Sequence, residues 1–225
     1  MMNQNVQSRF NLIAPEYEAT RRKFIPDFDT FYRSGIDFLQ CAKAAPRVLD
    51  LGTGTGLYTL KLLDRYPQAK VTLIDFAGNM LDIAWQIFAD NQNISYIQDD
   101  YGGHDFAGEK FDIVISALSI HHFDDAGKQK VYEKACSLLN PGGEFLNADQ
   151  IAGSSEIFDQ KYRDIHAAFV KKNASEAEYA QFLKNIELDK RTPVLPQLKW
   201  LKSAGFTQVD CIFKSGCFAV MYGKK

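Results

Sequence analysis

The sequence contains little cysteine, and no cysteine pair has the spacing of a metal or redox site. Its 225 residues include four cysteines, which are widely scattered: Cys41, Cys136, Cys211 and Cys217. Zinc and dithiol sites use two cysteines separated by only a few residues. We therefore expect reduced, apolar thiols, as in a cytoplasmic protein.

The chain also lacks a large net charge and long apolar runs. A net charge of −2 provides little attraction for nucleic acid or for an anionic membrane surface. No apolar run approaches the ~20 residues that span a bilayer. The N-terminus has no basic start followed by an apolar stretch, so we expect no signal peptide. We expect neither a membrane nor a nucleic acid as partner, and the sequence leaves open whether the protein is a homodimer.

From residue 46 onward, short apolar segments alternate with amphipathic ones. Strands are predicted at 48–51, 71–74, 94–97, 111–120 and 143–150, with helices at 57–66, 80–88, 128–139 and 193–206. This alternation predicts an α/β fold whose parallel sheet is covered by helices on both faces. The last residues predict two strands joined at Lys214-Ser215-Gly216, so we expect a mostly parallel, seven-stranded sheet that ends in an antiparallel hairpin.

Two segments do not follow this alternation. Residues 1–46 are polar and aromatic, with helical spacing at 28–43, and they predict an N-terminal helical cap. Residues 151–190 predict a helical insertion after the fifth strand, with charged helices at about 154–172 and 175–187. The remaining chain, 47–225, is predicted to be one domain that carries this insertion.

The stretch "DLGTGTG" joins the first predicted strand to a helix through Gly52, Gly54 and Gly56. Glycine permits positive φ and close approach of a ligand, and the following helix presents free N–H groups. Dinucleotide folds bind a pyrophosphate here with the longer pattern GxGxxG. The present pattern is one residue shorter and follows Asp50, which would repel a pyrophosphate but suits an ammonium group. At the end of the second strand, Asp75 could accept hydrogen bonds from ribose hydroxyls.

With "VLDLGTGTG", "LIDFAGNMLDIA", "YIQDDY" and "FDIVISALSIHHF", the chain resembles the class I S-adenosylmethionine-dependent methyltransferases, which have a Rossmann-like sheet. The resemblance covers roughly residues 46–150 and implies S-adenosylmethionine as cofactor and a small-molecule methyl acceptor. It implies three groups of cofactor contacts. The turn contributes Asp50, Gly52, Thr53, Gly54 and Gly56; the ribose and adenine side contributes Asp75, Phe76, Met80, Asp100 and the backbone of Tyr101; the methionine side contributes Ser116, Ala117 and His121.

The segment 10–32 resembles the cap that folds over the cofactor in such enzymes. There Tyr17 and Arg22 are expected to be cofactor contacts. An arginine could bind the methionine carboxylate, and a tyrosine ring could shield the sulfonium. An ordinary amphipathic helix with surface arginines fits the same residues.

Methyl transfer is an in-line displacement, so the protein must align the acceptor and exclude water. His121 and His122 are the predicted catalytic residues. Asp149 is a third candidate for the base, and His121 also fits a wall of the cofactor pocket. Adjacent histidines at a strand end point in different directions and no spaced carboxylate set accompanies them, so no metal is predicted.

Two alternative functions fit the same residues. The cap and core also resemble carboxy-S-adenosylmethionine synthases of tRNA wobble-uridine modification. A cationic side chain in the pocket, placed to bind an extra carboxylate, would favour this alternative. A non-catalytic cofactor-binding subunit is the other alternative, which the intact glycine turn disfavours.

Overall fold

The computed structural model describes residues 19–187 and 189–225. Their centre is a seven-stranded sheet with the strand order β3-β2-β1-β4-β5-β7-β6. The strands are β1 (Arg47–Leu51), β2 (Lys70–Asp75), β3 (Ile94–Gln98), β4 (Phe111–Ala117), β5 (Leu139–Gln150), β6 (Gln208–Ser215) and β7 (Phe218–Lys224).

The sheet is parallel from β3 to β5, and β7 is antiparallel to both β5 and β6. The predicted parallel sheet with a closing antiparallel hairpin is therefore confirmed. After β1 the chain builds outward to β3 and then returns to place β4 on the other side of β1. In parallel sheets, the carboxyl ends of the strands at such a reversal form the crevice that binds ligands.

Helices cover both faces of the sheet. They are α1 (Phe28–Phe38), α2 (Leu57–Arg65), α3 (Gly78–Phe88), α4 (Asp125–Leu138), α5 (Glu156–Asn173), α6 (Glu176–Ile186) and α7 (Val194–Ser203). One apolar cluster joins α1, α2 and α3 to one face, and a second joins α4 and α7 to the other. Both faces of the central strands are therefore buried, which explains why most residues of β1 and β4 are apolar.

The fourth strand ends three residues earlier than the apolar run predicts. Leu118 has φ 51°, a left-handed conformation that is rare for a side chain of this kind and that ends the strand. A short 3₁₀ turn, Ile120–His122, follows. This turn, and not a strand, therefore carries the two histidines of the "HH" motif.

The helices of the predicted insertion begin at serine caps. The Ser155 hydroxyl accepts a hydrogen bond from the N–H of Phe158 at the start of α5. Ser175 and Glu178 form a reciprocal capping box at the start of α6. These caps define the two insertion helices near the predicted bounds.

None of the helices within residues 19–187 and 189–225 combines the length and the hydropathy that a bilayer span requires.

Candidate functional site

A cavity of about 670 Å³ lies at the carboxyl ends of β1, β2 and β4. Its lining comes from the glycine turn, the ends of β2, β4 and β5, the segment before α1 and the insertion, with further residues from α1, α2 and β7. The crevice that the strand order predicts is therefore present, and the two segments outside the alternating pattern close its open side.

The glycine turn brings backbone to the cavity surface. Gly54 has φ +55°, and a Cβ placed on it would meet no atom of the described residues within 4 Å, so this position opens into the cavity. Gly52 is different, because a Cβ there would lie 1.9 Å from the Ser119 hydroxyl oxygen. Gly52 is therefore required for packing against the loop after β4, whereas Gly54 leaves room for a ligand.

Asp50 is buried at the base of the turn, with 1% of its surface exposed. Its Oδ2 accepts hydrogen bonds from the hydroxyls of Thr53 at 2.9 Å and Thr59 at 2.7 Å. Its Oδ1 has no hydrogen-bond partner in the described part of the chain. Burial raises the pKa of Asp50 to about 6, although the two threonine hydroxyls oppose this rise. A buried carboxylate with one free oxygen beside an open cavity fits a cationic ligand group.

Asp75 lies at the end of β2, where the sequence places it, and lines the cavity. Its Oδ2 accepts from the N–H of Gly54 at 2.8 Å and its Oδ1 from that of Ala77 at 2.9 Å. Asp75 therefore holds the glycine turn in place. Each carboxylate oxygen can accept more than one hydrogen bond, so a pair of ribose hydroxyls remains compatible with these contacts.

The residues predicted to contact adenine fall into two sets. Phe76, 74% exposed, and Met80 line the cavity. Asp100 is exposed, and its Oδ1 accepts from the N–H of Gly102. Tyr101 is buried, and its hydroxyl contacts that of Ser119 at 2.9 Å. The cavity lining includes Phe76 and Met80 but neither Asp100 nor Tyr101, whose cofactor contacts stay predictions.

Of the residues predicted on the methionine side, Ala117 lines the cavity and Ser116 does not. The buried Ser116 donates its hydroxyl hydrogen bond to the carbonyl of Leu51 at 2.8 Å, so it joins β4 to β1. Ala117 lines the cavity, and so do Leu118 and Ser119, which the sequence analysis did not select. The left-handed Leu118 turns the chain so that these residues face the cavity.

In the cap segment, Arg22 binds both carboxylate oxygens of Asp29, at 2.7 and 2.6 Å, and its guanidinium lies 4.3 Å from the centre of the Phe28 ring. Its neighbour Arg21 lines the cavity instead. The Arg22 contact with cofactor stays a prediction, and Tyr17 lies outside the described residues.

His121 is buried between two carboxylates. Its Nδ1 is 2.5 Å from Oδ1 of Asp149, and its backbone N–H donates to Oδ2 of Asp149 at 2.9 Å. Its Nε2 is 3.4 Å from Oδ1 of Asp189, which comes from the end of the insertion. Burial alone would lower the pKa of His121, but Asp149 and Asp189 more than offset burial and raise it to about 9.

The side chain of His122 is 59% exposed, and it lines the cavity beside His121. Burial of part of the ring and the neighbouring His121 lower the pKa of His122. The two adjacent rings therefore differ in pKa: the two carboxylates raise that of His121, and burial together with His121 lowers that of His122.

None of the individual residues that line the cavity from the insertion and from the end of β5 was predicted from the sequence. These residues are Gln150, His166, Glu178, Gln181, Phe182, Asn185, Ile186 and Asp189. Most lie on helices whose polar residues predict only a solvated face. Helical spacing does place Glu178, Gln181, Phe182 and Asn185 on one side of α6, which is the signal that could have identified this wall.

The sequence profile of the family described as "Methyltransferase domain" matches residues 48–143. A ubiquinone/menaquinone biosynthesis C-methyltransferase UbiE from Geotalea daltonii is 30% identical over 176 residues, which are 75% of this chain and 71% of that protein. A malonyl-[acyl-carrier protein] O-methyltransferase 1 from Ilyobacter polytropus is 28% identical over 107 residues, which are 48% of this chain and 39% of that protein.

Among solved structures, an O-methyltransferase family protein from Burkholderia thailandensis superposes with a TM-score of 0.65 at 20% identity, covering 88% of this chain and 54% of that one. At this identity the likeness supports the fold. The chain spans less than two thirds of the length of several curated relatives that it matches.

The match over 48–143 contains the glycine turn, the second strand that ends at Asp75, and the "HH" motif. These are the segments on which the predicted family and its S-adenosylmethionine cofactor rested, and both predictions are confirmed. The chain belongs to the class I S-adenosylmethionine-dependent methyltransferases.

Proposed function

We propose that this protein transfers the methyl group of S-adenosylmethionine to a small molecule bound in the same cavity. The observation that carries the proposal is the free oxygen of the buried Asp50 carboxylate beside the open position at Gly54. In this arrangement Asp50 binds the ammonium group of the methionine moiety, and the turn accommodates its chain. Phe76 and Met80 cover the adenine, and Asp75 meets the ribose.

The wall opposite the glycine turn supplies the acceptor pocket. It combines apolar side chains, among them Phe24 and Phe182, with polar ones such as Gln150 and Asn185. A mixed lining of this kind suits a small organic molecule that is oriented by a few hydrogen bonds. We place the acceptor between this wall and the loop after β4.

The two histidines have different roles in this proposal. Both ring nitrogens of His121 face carboxylates, so His121 positions the loop and does not take the acceptor's proton. His122 is exposed and lies in the cavity wall, and it is the histidine that contacts the acceptor. The chain's own contribution to the chemistry is alignment of the acceptor and exclusion of water.

Binding and turnover test the proposal separately. Calorimetry with S-adenosylmethionine and S-adenosylhomocysteine should give one site per chain, while NAD should not bind. Mass spectrometry should then detect S-adenosylhomocysteine formed with members of a panel of quinols, phenols, carboxylic acids and amines. Binding of NAD alone would refute the cofactor assignment, and tight cofactor binding with no turnover across the panel would favour a binding subunit.

Arg21 in the cavity is the feature that fits the carboxy-S-adenosylmethionine alternative, because it could face an extra carboxylate. Binding of carboxy-S-adenosylmethionine therefore belongs in the same experiment. A clear preference for it over S-adenosylmethionine, abolished by Arg21→Gln, would replace methyl transfer with synthesis of the carboxylated cofactor.

A further inference from the structure

Two histidines and one carboxylate converge at one place in the cavity wall. Oδ1 of Asp189 is 3.4 Å from Nε2 of His121 and 3.9 Å from Nδ1 of His122. One ligand atom from each of the three side chains lies within 4.8 Å of the others. The 3₁₀ turn explains this convergence, because adjacent side chains in a strand would point to opposite faces.

The 3.4 Å separation between His121 and Asp189 is that of two ligands in a tetrahedral metal site, whereas the 3.9 Å separation between His122 and Asp189 must shorten when an ion binds. Two ligand atoms at about 2.0–2.1 Å from a tetrahedral zinc ion are about 3.3–3.4 Å apart. Two imidazole nitrogens and a carboxylate oxygen are also a ligand set of catalytic zinc sites, which leave a further position open. All three side chains line the cavity, so an open position would face the acceptor pocket.

The His121 ring is held as a metal ligand usually is. Its Nδ1 is fixed by Asp149, so its other nitrogen is directed at Asp189. Histidine ligands commonly donate their second N–H to a carboxylate, which fixes the tautomer and the ring orientation. The third ligand is held as well, because the N–H of Lys190 donates to the carbonyl of His121 at 3.0 Å.

The buried Lys128 strengthens this connection. Its Nζ donates hydrogen bonds to the carbonyls of Phe123 and Lys190 and to the Thr192 hydroxyl. The segment after Asp189 and the turn that carries the histidines are therefore fastened to the same side chain. This fixes the distance between the ligands from both sides.

We propose that His121, His122 and Asp189 bind one first-row divalent cation, with Zn²⁺ as the ion whose preferences the ligand set fits. The geometry of the three side chains is the whole basis for the proposed binding of the ion. Its role rests on the proposed function: the ion binds a hydroxyl oxygen of the acceptor and lowers its pKa. The hydroxyl proton then leaves to solvent, the oxygen forms the bond to the methyl carbon, and the sulfonium leaves as a thioether.

The test uses the full chain after chelator treatment and dialysis. Calorimetric titration with Zn²⁺, and the visible absorption of Co²⁺, are measured at about pH 8, because histidine ligands bind a metal in their neutral form. We expect one equivalent per chain. His122→Ala and Asp189→Asn should abolish this stoichiometric site, and Asp149→Asn should weaken it about 10–100-fold.

His104→Ala is the matched control, because His104 pairs with the exposed Asp99 and is not part of the cavity lining. This variant should bind as the unchanged protein does. Absence of stoichiometric uptake by the unchanged protein would overturn the inference. So would uptake that survives in His122→Ala and Asp189→Asn, since the ion would then bind elsewhere.

Cofactor binding in the presence of chelator separates the two proposals. If S-adenosylmethionine binds the metal-free protein and no ion is taken up, the metal inference fails and the proposed function stands. If an ion binds but the cofactor does not, the proposed function fails while the site remains. Cofactor binding by His122→Ala and Asp189→Asn also shows that these variants are folded, so that a loss of metal binding is attributable to the missing ligand.

Discussion

Replacing Asp50 by asparagine should stabilise the cofactor-free protein and weaken cofactor binding. Burial raises the pKa of this carboxyl from its ordinary value of 3.8 to about 6. At 1.36 kcal/mol per pKa unit, keeping the charge at neutral pH costs about 3 kcal/mol of folding stability. The introduced side-chain amide would still accept from the hydroxyls of Thr53 and Thr59 but would carry no charge.

The net gain is smaller than this upper value. The amide NH₂ group would occupy the place of Oδ1, which has no partner among the described residues, and an unpaired buried donor costs about 1–3 kcal/mol. We therefore expect a gain of about 1 kcal/mol, or roughly 2–4 °C in the melting temperature of a chain of this length. The lost contact with an ammonium group is worth about 1.5–3 kcal/mol, so the cofactor Kd should rise about 10- to 150-fold.

Asp112→Asn is the matched control. Asp112 is also buried, but Lys43, the backbone N–H of Arg47 and Asn140 donate to its carboxylate. Burial tends to raise the pKa of Asp112, yet these donors more than offset it and lower the value. Asp112→Asn should therefore destabilise the protein and leave the cofactor Kd unchanged.

Thermal unfolding with and without S-adenosylhomocysteine, together with calorimetry, measures both effects. We expect Asp50→Asn to raise the stability of the cofactor-free protein and lower its affinity for the cofactor, and Asp112→Asn to lower stability alone. An Asp50→Asn variant that melts lower than the unchanged protein and binds cofactor equally well would refute this expectation, because Asp50 would then be a structural residue only.

Two other substitutions and a change of pH test the same cavity. Gly54→Ala should cost about 1–2 kcal/mol of stability, since φ is positive there, and should also reduce cofactor affinity because the new Cβ enters the cavity. Gly142 has φ +76° and open space around it but lies away from the cavity, so Gly142→Ala should lower stability and leave cofactor affinity unchanged. Asp75→Ala should weaken binding of S-adenosylhomocysteine by about 1.5–3 kcal/mol. It should also lower the melting temperature, because the N–H groups of Gly54 and Ala77 lose their acceptor. Unchanged affinity in calorimetry would contradict the ribose assignment. The cofactor Kd should be constant above about pH 6 and rise up to tenfold per pH unit below it, because Asp50 of the free protein takes up a proton there. Protonation also removes the buried charge, so the cofactor-free protein should become more stable as the pH falls through this range. A Kd that stays flat between pH 7 and 5 would contradict this.

The residues proposed for the cofactor half of the site could be selected from the sequence because they lie in one local unit. Asp50, the three glycines and Asp75 lie within one strand–turn–helix–strand unit, so the spacing along the chain fixes their spacing in the fold. The end of β4 could not be predicted in the same way. The run 111–120 is mostly apolar up to Ile120, and only the left-handed backbone at Leu118 ends the strand before it reaches the histidines.

The proposed acceptor half depends on contacts between residues that are far apart in the chain. Asp189 follows a polar insertion and carries no local signal, yet its carboxylate lies against His121. His166 likewise lies on α5 and donates from Nε2 to the carbonyl of Phe24, in the segment before α1. Neither contact has a periodicity or a turn signature that would reveal it, because both are made only when the insertion packs over the sheet.

Hydrogen bonds of His121 connect the part of the cavity that is formed by local segments with the part that is formed by distant ones. The peptide groups of His121 are bonded on both sides: the N–H donates to Asp149 of β5, and the C=O accepts from Lys190 at the exit of the insertion. The loop after β4 is thus joined to the exit of the insertion through both peptide groups of this residue, in addition to the contacts of Lys128. Under the proposed function, we therefore expect changes along α6 to affect acceptor binding without moving the glycine turn, and a change at His121 to affect binding of both cofactor and acceptor.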